Sequence, residues 1–285
     1  MQPTPATWYL GPSYDMRALQ TPDVGMSLPY ERYGGTFQAL SGARSMDVTG
    51  HRSAYELSWE YLDKADWDFL QAMNMRHLPG PHYLINPLSK NRLSPQASMC
   101  YWRGKTDGVG VWADRAVPQW QNGVFPTGVM GFRSLRASVW TFTTNNEFMF
   151  DRGPRTPVLN SEQITASIYV KADVSAPMHM SLRRFDKFGV EITPAPAWIA
   201  FTATTSWQRF SMTETEPSNV CSVQFQVSAD NDDTAINLAA AQVESGATAT
   251  AWEIGGGSAR VLIDQLDTVS PRYPIQQASL TLLEA

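Results

Sequence analysis

The sequence predicts a mainly β protein of two domains, the first with one short helix and the second a β-sandwich. Of the 285 residues, 17% are charged and 11% are aromatic, which suits broad sheet faces better than solvated helices. Apolar and polar residues also alternate in several short segments, as half-buried strands require. Turns rich in Asx, Gly and Pro separate these segments at short intervals, a spacing typical of sandwiches. A chain of this length can bury two cores.

The first domain begins with strands flanked by turns. Gly34-Gly35 precedes an extended segment over residues 36–40, and Thr49-Gly50 marks a tight turn. The strand predicted after this turn has two distinct faces. We expect its apolar face to lie in a core; this face has Tyr55, Leu57, Trp59 and Tyr61, and the polar face has Glu56, Ser58 and Glu60.

One helix follows that strand. It is predicted from the cap residue Asp63 through Met75, with Asp66 in its first turn near the positive end of the helix dipole. Pro79-Gly80-Pro81 ends it, and extended structure resumes over residues 82–85. The buried stripe of the helix is predicted to contain Ala65, Phe69, Ala72 and Met73.

The order of these parts is more specific than any one of them. A Gly-Gly turn, a hairpin, a short helix with an Asp-Trp pair and the segment YLINPLSKNRLSP (83–95) follow one another. Together they resemble the N-terminal β-barrel of distal tail and minor tail proteins from siphophages of Gram-positive, especially actinobacterial, hosts. The resemblance covers residues from about 30 to 98. It implies a barrel that packs into a ring of identical subunits, and distal tail proteins typically form hexameric rings.

The second domain is predicted from a series of alternating strands. Residues 101–140 are rich in aromatic residues separated by Gly and Pro, and we expect short strands and loops there. From Ile164 onward the alternation is regular. Its apolar positions are Ile168 and Val170; Met178, Met180 and Leu182; Phe210 and Met212; Cys221, Val223, Phe225 and Val227; and Ile236, Leu238 and Ala240.

Three phrases within this series occur in a particular order: ASIYVKA (166–172), TTSWQRFSMT (204–213) and AAAQVESGATATAWE (239–253). They resemble the jelly-roll domains, similar to carbohydrate-binding modules, that decorate bacteriophage tail proteins. The resemblance implies a jelly roll that serves as a structural or adhesive part of a virion and is not an enzyme.

The end of the chain predicts how the domains are arranged. Gly255–Ser258 is a flexible break, yet two further strands follow, over residues 261–266 and 278–282. Two strands are not stable alone, so we expect them to return to the first domain. The prediction is a split domain of residues 1–98 together with 258–285, and a jelly roll inserted over residues 99–257. Two successive domains with a frayed tail are the alternative.

Charge and cysteine content exclude several classes of function. A net charge of −5 without a basic stripe argues against nucleic acid as a partner. No apolar run is long enough for a bilayer and no signal peptide is recognised, so we expect no membrane partner and synthesis in the host cytoplasm. Cys100 and Cys221 lie far apart and outside any CxxC motif, which predicts no disulfide framework, and for Cys221 a buried free thiol. No cofactor is expected.

Catalysis and metal binding have few candidates. The acidic cluster Asp230, Asp232 and Asp233 lies between two predicted strands, where Asp and Asn favour a tight turn over a catalytic role. The same loop is a calcium candidate, but it lacks the Gly and the distant Glu of an EF-hand, so an ordinary solvated loop is favoured. No metal site is therefore predicted. The four histidines have no metal-ligand spacing, and no nucleophile elbow or P-loop occurs, so no enzyme is predicted.

Glycan binding needs only an exposed aromatic ring with polar groups around it. Tyr169, Trp198 and Trp207 are the aromatic residues on predicted strands or strand edges whose parity separates them from the apolar face, and Arg183 is a polar neighbour. Packing in the core or at a sheet edge is the alternative role for each ring.

The function predicted from these observations is a structural component of a bacteriophage tail tip, a distal tail or minor tail protein, located in the virion. Its barrel would form a ring with itself and contact the tail tube and the tail-tip hub, and its jelly roll would project outward toward host cell-wall polysaccharide. A free-standing, lectin-like glycan-binding protein is the alternative from another class. A glycan hydrolase with unidentified carboxylates is a third.

Overall fold

The structure is a computed structural model that describes residues 7–23, 27, 30–46, 50–102, 108, 110–113, 116–131, 133–139, 146–194, 197–229 and 235–285. Strands make up 54% and helices 6% of the described residues, which confirms the mainly β prediction. The chain folds as two compact units. The first unit contains residues 7–84 and 260–285, and the sandwich unit contains residues 85–259.

The elements follow one another as strands with two short helices. In the N-terminal part they are β1 (Trp8–Pro12), β2 (Arg17–Leu19), β3 (Tyr30–Tyr33), β4 (Thr36–Gln38), β5 (Arg44–Met46), β6 (Gly50–Asp63), α1 (Lys64–Asn74), β7 (His82–Ile85) and α2 (Pro95–Ser98). They continue as β8 (Val111–Ala113), β9 (Ala116–Asn122), β10 (Arg133–Val139), β11 (Asn146–Phe150), β12 (Thr156–Pro157), β13 (Gln163–Ala172) and β14 (Ala176–Phe185). The last are β15 (Ile199–Ala203), β16 (Gln208–Thr215), β17 (Ser222–Ala229), β18 (Ala235–Ser245), β19 (Ser258–Arg272) and β20 (Ile275–Glu284).

A seven-stranded sheet forms the first unit, in the order β2-β1-β7-β19-β20-β6-β3. The C-terminal strands β19 and β20 lie in the middle of this order, and β20 pairs antiparallel with β6. The described strands do not close into the predicted barrel, because the short end strands β2 and β3 each have one neighbour, β1 and β6. β4 and β5 form a separate two-stranded hairpin.

The predicted faces of β6 hold for three of the four apolar residues. Tyr55, Leu57 and Trp59 are buried, but Tyr61 is exposed and Leu62 is buried in its place. The reason is a bulge: the pairing of β20 with β6 shifts register between Gln276 and Ala278, and such a shift reverses which side chains face the core.

Helix α1 lies where the sequence places it. Phe69 and Met73 are buried as expected, Leu70 joins them, and Ala65 is exposed. Asp63 occupies the N-cap position but its side chain makes no capping hydrogen bond, whereas Lys64 pairs with Asp68 one turn further on.

Two packed sheets form the sandwich unit, as predicted. A five-stranded sheet has the order β16-β13-β18-β10-β9, and a six-stranded sheet has the order β15-β14-β17-β11-β8, with β12 beside β17. Alternate residues of both sheets fill one core, which includes Ile168, Met180, Phe225 and Leu238. Cys221 is a buried free thiol, as expected, and Cys100 is another. Burial raises the pKa of the Cys100 thiol to about 12.

The segment between β7 and α2 belongs to the sandwich unit. Asn91 holds it there: its Nδ2 donates to the carbonyls of Ala241 (3.0 Å) and Glu253 (2.9 Å), and its Oδ1 accepts from the Val243 amide (3.1 Å). These contacts explain why the units divide at 84/85 and 259/260. The boundaries 98/99 and 257/258, predicted from the sequence for two independently folding domains, stay a prediction.

Neither helix in the described part of the chain has the length and apolar character needed to cross a bilayer.

Candidate functional site

The outer surface of the six-stranded sheet is rich in polar side chains. On the central strand β17, Val223, Phe225 and Val227 lie in the core, so the residues between them face outward. The same alternation applies to β14, β11 and β8. We call the resulting set the six-strand face: Gln224, Gln226 and Ser228 on β17; His179, Ser181 and Arg183 on β14; Glu147 and Met149 on β11; and Trp112 on β8.

Strand register aligns these side chains in rows. Ser181 lies opposite Gln226, Gln226 opposite Met149, and Met149 opposite Trp112. At the usual strand spacing this row is about 14 Å long. The next row along pairs Arg183 with Gln224.

Three buried polar atoms on this face lack hydrogen-bond partners among the residues that the structure describes: Ser181 Oγ, Gln224 Nε2 and Gln226 Oε1. The two glutamines are only 2% and 3% exposed. Burying such an atom without a partner costs about 1–3 kcal/mol, so a hydrogen bond from a bound molecule would stabilise each of them.

Arg183 lies across the two glutamines. Its Nε donates to Glu191 Oε1 (2.9 Å), its Nη2 pairs with Glu191 Oε2, and its Nη1 reaches Met149 Sδ (3.9 Å), on the far side of β17. The hydrogen bond from Arg183 holds the pKa of Glu191 below its usual value, and the same bond raises the pKa of Arg183. Both groups are therefore charged at neutral pH, and each compensates the other.

Trp198 supplies the exposed aromatic ring at this face. It precedes the edge strand β15, where Ala200 lies opposite His179, and its ring meets the His179 ring edge-on at 6.5 Å between centroids. The residue is 37% exposed. The ring of Trp112 is different, because the Arg152 guanidinium covers it at 4.1 Å. The ring of Trp112 is therefore covered by Arg152, whereas the ring of Trp198 is open to a ligand.

The structure brings two of the four predicted glycan-binding residues to this face and leaves two elsewhere. Trp198 and Arg183 are at the six-strand face. Tyr169 lies on the outer side of the five-stranded sheet, with the Arg209 guanidinium 5.6 Å from its ring centre. Trp207 is half-buried just before β16 of that same sheet. Asp230, Asp232 and Asp233 lie outside the described residues.

The outer side of the five-stranded sheet is covered by the chain itself. The segment after β18 folds back over it, and the Glu244 carboxylate accepts hydrogen bonds from the Thr250 amide (2.9 Å) and hydroxyl (2.6 Å). Gln242 Oε1 accepts from the Glu253 amide (3.0 Å). Gln242 and Glu244 are thus bound internally on this side, and Arg209 donates through both terminal nitrogens, to the Thr250 carbonyl and to Ser167 Oγ (2.9 Å), although its Nε has no partner among the described residues.

Sequence reasoning missed Ser181, Gln224 and Gln226. A signal was present, because SVQFQVSA places two long amide side chains at the outward positions of a strand whose other positions are apolar. In the described part of the chain, no group of three His, Cys, Asp or Glu residues could hold a metal ion.

No protein-family model matches the chain, and no curated protein matches it significantly. Among solved structures, it is similar to the enzymatically active domain of tailspike protein 4 from bacteriophage CBA120, with 12% identity and a TM-score of 0.42, over 55% of this chain and 22% of that one. It is also similar to the CBM22-1 xylan-binding domain from Paenibacillus barcinonensis, with 18% identity and a TM-score of 0.38, over 53% of this chain and 94% of that one.

A third similar structure is a family 30 carbohydrate-binding module of a cellulosomal cellulase from Clostridium thermocellum. Its identity is 16% and its TM-score 0.34, over 49% of this chain and 94% of that module. The structural neighbours are thus carbohydrate-binding modules and a tailspike domain. All three TM-scores lie below 0.5, and these likenesses carry no inference about what this chain binds.

Proposed function

We propose that the six-strand face binds a glycan. The observation behind this proposal is that an exposed tryptophan, Trp198, shares one face of a sheet with three polar atoms that have no hydrogen-bond partner among the described residues. A sugar ring has an apolar side that stacks on an aromatic ring, and hydroxyls that both donate and accept hydrogen bonds. Gln224 Nε2 is a donor and Gln226 Oε1 an acceptor, on side chains about 7 Å apart along the strand, so neighbouring hydroxyls can satisfy both.

Access to the glutamines depends on Arg183. Its side chain is 26% exposed and extends over β17 toward Met149. The flexible Met149 side chain, at the other end of this contact, can move aside and uncover the amides while the Arg183–Glu191 pair stays intact. Ligand hydroxyls can then hydrogen-bond to Gln224 Nε2 and Gln226 Oε1.

Replacing Trp198 tests the proposal. Trp198→Ala is expected to weaken binding to host cell-wall polysaccharide about tenfold, equal to about 1.4 kcal/mol, because the stacking surface is lost. Titration calorimetry on the full chain measures the change. Trp207→Ala is the matched control, since it removes the same side chain from the other sheet. Equal weakening by both variants, or none by Trp198→Ala, would count against the six-strand face.

We further propose that the chain is a structural component of a phage tail tip, located in the virion and assembled with itself through the first unit. The hairpin β4–β5 supports this second role. Every side chain over residues 36–46 is exposed, including Phe37, Leu40 and Met46, and the hairpin pairs with no other described strand. A lone two-stranded hairpin is marginally stable in water, so a subunit contact would stabilise it. Closed rings of identical subunits need such heterologous contacts.

Light scattering tests the assembly. The purified chain is expected to form a ring-sized or concentration-dependent oligomer without sugar, and Phe37→Ser with Leu40→Ser is expected to reduce it to a monomer. Tyr14→Ser is the control, since it removes an exposed aromatic ring of the first unit outside the hairpin. A wild-type chain that is monomeric at every concentration and binds glycan would favour the free-standing lectin instead.

A further inference from the structure

We propose that Glu191 makes the six-strand face selective for uncharged glycans, because it holds the charge of Arg183 in an internal ion pair. This inference rests on the proposed glycan-binding function and adds the chemical class of the ligand. Arg183 and Glu191 meet through two nitrogens and two oxygens, a geometry that fixes both side chains.

Local backbone bonds fix the position of Glu191. Asp186 Oδ1 accepts from the amides of Phe188 and Val190 (2.9 Å each) and so closes the turn after β14. The Ile192 amide then donates to the Arg184 carbonyl (2.9 Å), and Glu191 forms an isolated bridge with Phe185. The carboxylate therefore reaches Arg183 from a tight turn and not from a freely moving loop.

The other arginines described around the face also have internal partners, so none offers a free cation to an anionic ligand. Arg152 lies over Trp112, Arg155 donates to the Gly189 carbonyl (2.9 Å) and lies over Phe185, and Arg184 pairs with Glu214 and Glu216. On the face itself Glu147 adds a second negative charge that acts on Arg183. His179 contributes a ring beside Trp198.

The ion pair remains useful to a neutral ligand. The hydrogen bonds that the structure describes leave one N–H on each terminal nitrogen of Arg183, and the Glu191 oxygens have further lone pairs. Sugar hydroxyls can accept hydrogen bonds from the Arg183 N–H groups and donate hydrogen bonds to the Glu191 oxygens, and both kinds of bond are charge-assisted. A carboxylate or phosphate on the ligand would instead meet Glu191 and be repelled.

The test compares neutral and anionic polysaccharides on the same full-length protein. The probes are galactomannan, dextran and hydroxyethylcellulose on the neutral side, and polygalacturonate, carboxymethylcellulose and wall teichoic acid on the anionic side. Wild-type protein is expected to bind at least one neutral polymer, with less than a twofold change between 50 and 500 mM NaCl, and no anionic one.

The variant Glu191→Gln releases Arg183 while keeping the shape of the side chain. It is expected to bind an anionic polymer at least tenfold more tightly than wild type at 50 mM NaCl and to lose this gain at 500 mM, because exposed charge pairs are screened by salt. Its affinity for the neutral polymer is expected to fall by about threefold to tenfold, because the bond from a sugar hydroxyl to this side chain is no longer charge-assisted. Glu214→Gln is the matched control, since Glu214 is an equally exposed partner of an arginine, Arg184, away from Arg183.

Each other outcome overturns a defined part of the proposal. Salt-sensitive binding of an anionic polymer by wild type, or the same polymer preference in wild type and Glu191→Gln, refutes the role of Glu191 and leaves glycan binding standing. The same gain from Glu214→Gln shows a general charge effect and also refutes that role. No binding of any polymer by either protein refutes glycan binding itself.

Discussion

Glu216 belongs to a buried group of charges at one edge of the sandwich unit. Arg184 Nε donates to Glu216 Oε2 (2.7 Å), the Glu216 amide donates to the Glu162 carbonyl (2.8 Å), and Glu162 pairs with Arg92 where both side chains are almost fully buried. Burial raises the pKa of Glu216, and Arg184 only partly offsets this. Its Oε1 has no hydrogen-bond partner among the described residues.

This environment predicts a pH-dependent stability. Because the folded-state pKa of Glu216 lies above its unfolded value, the folded protein binds the proton more tightly, and this contribution to the free energy of unfolding falls as pH rises from about 4.5 through the raised pKa. Glu216→Gln has no carboxyl group to bind this proton. Its free energy of unfolding, relative to that of wild type, is therefore expected to increase between pH 4.5 and 7.5. Urea unfolding at several pH values measures the difference.

Glu191→Gln is the control with the opposite sign. Arg183 lowers the pKa of Glu191, so that pair stabilises the folded state above the unfolded pKa, and the contribution is lost as pH falls through the folded pKa. Relative to wild type, Glu191→Gln should therefore lose stability as pH rises to about 5 and should stay level above that pH. Parallel pH profiles for the two variants would contradict the assignment of Glu216.

At the scale of elements, the segment that folds back after β18 decides which outer face is free. Thr250 ties it to the buried Glu244 carboxylate through its amide (2.9 Å) and hydroxyl (2.6 Å). Thr250→Val removes the hydroxyl and leaves Glu244 short of a donor, which is expected to destabilise the sandwich unit by about 1.5–3 kcal/mol, the range for a bond to a charged group.

Denaturant unfolding followed by tryptophan fluorescence measures this loss, with Thr248→Val as the control. Thr248 is an exposed residue of the same segment, and the same substitution there should change the free energy of unfolding by less than about 0.5 kcal/mol. Equal effects at both positions would show that the segment does not depend on Glu244.

Individual strands were predictable from the sequence where their alternation of apolar and polar residues is regular. β13, β14 and β17 were predicted because their two-residue alternation is regular, and the buried faces follow from parity alone. β8, β9 and β10 were expected only as short strands and loops, since Gly and Pro interrupt the aromatic pattern there and cross-strand pairing defines the strands. The bulge that exposes Tyr61 likewise depends on the partner strand.

The candidate site is predictable only in part, for the same reason. The alternation of inward and outward positions along each strand identified Trp198 and Arg183 as outward residues. Only the register of β15 with β14 puts the two residues on one face. Parity equally identified Tyr169, whose sheet is then covered by the folded-back segment. Missing hydrogen-bond partners, as at Gln226, are a property of the packed neighbours, so no single-strand pattern contains them.

At the scale of the whole molecule, the C-terminal strands join two parts of the first unit. In the sheet order, β19 and β20 separate β2-β1-β7 from β6-β3. Leu280 of β20 is buried opposite Leu57, so removing these strands exposes the apolar face of β6 to water. We propose from this that residues 7–84 and 260–285 fold as one domain, which the sandwich unit interrupts in sequence.

Deletion of residues 261–285 is therefore expected to unfold residues 7–84 and to leave residues 85–259 folded. Hydrogen exchange with peptide resolution measures both parts in one experiment: the first should lose protection and the second keep it. A pair of point substitutions in the full-length chain tests the same contact without a truncation. Leu280→Ala, at a buried position, should cost the first unit about 2–5 kcal/mol, whereas Leu262→Ala, at an exposed position of β19, should cost little. If residues 7–84 stay protected after the deletion, the chain consists of two successive domains with a dispensable C-terminal hairpin.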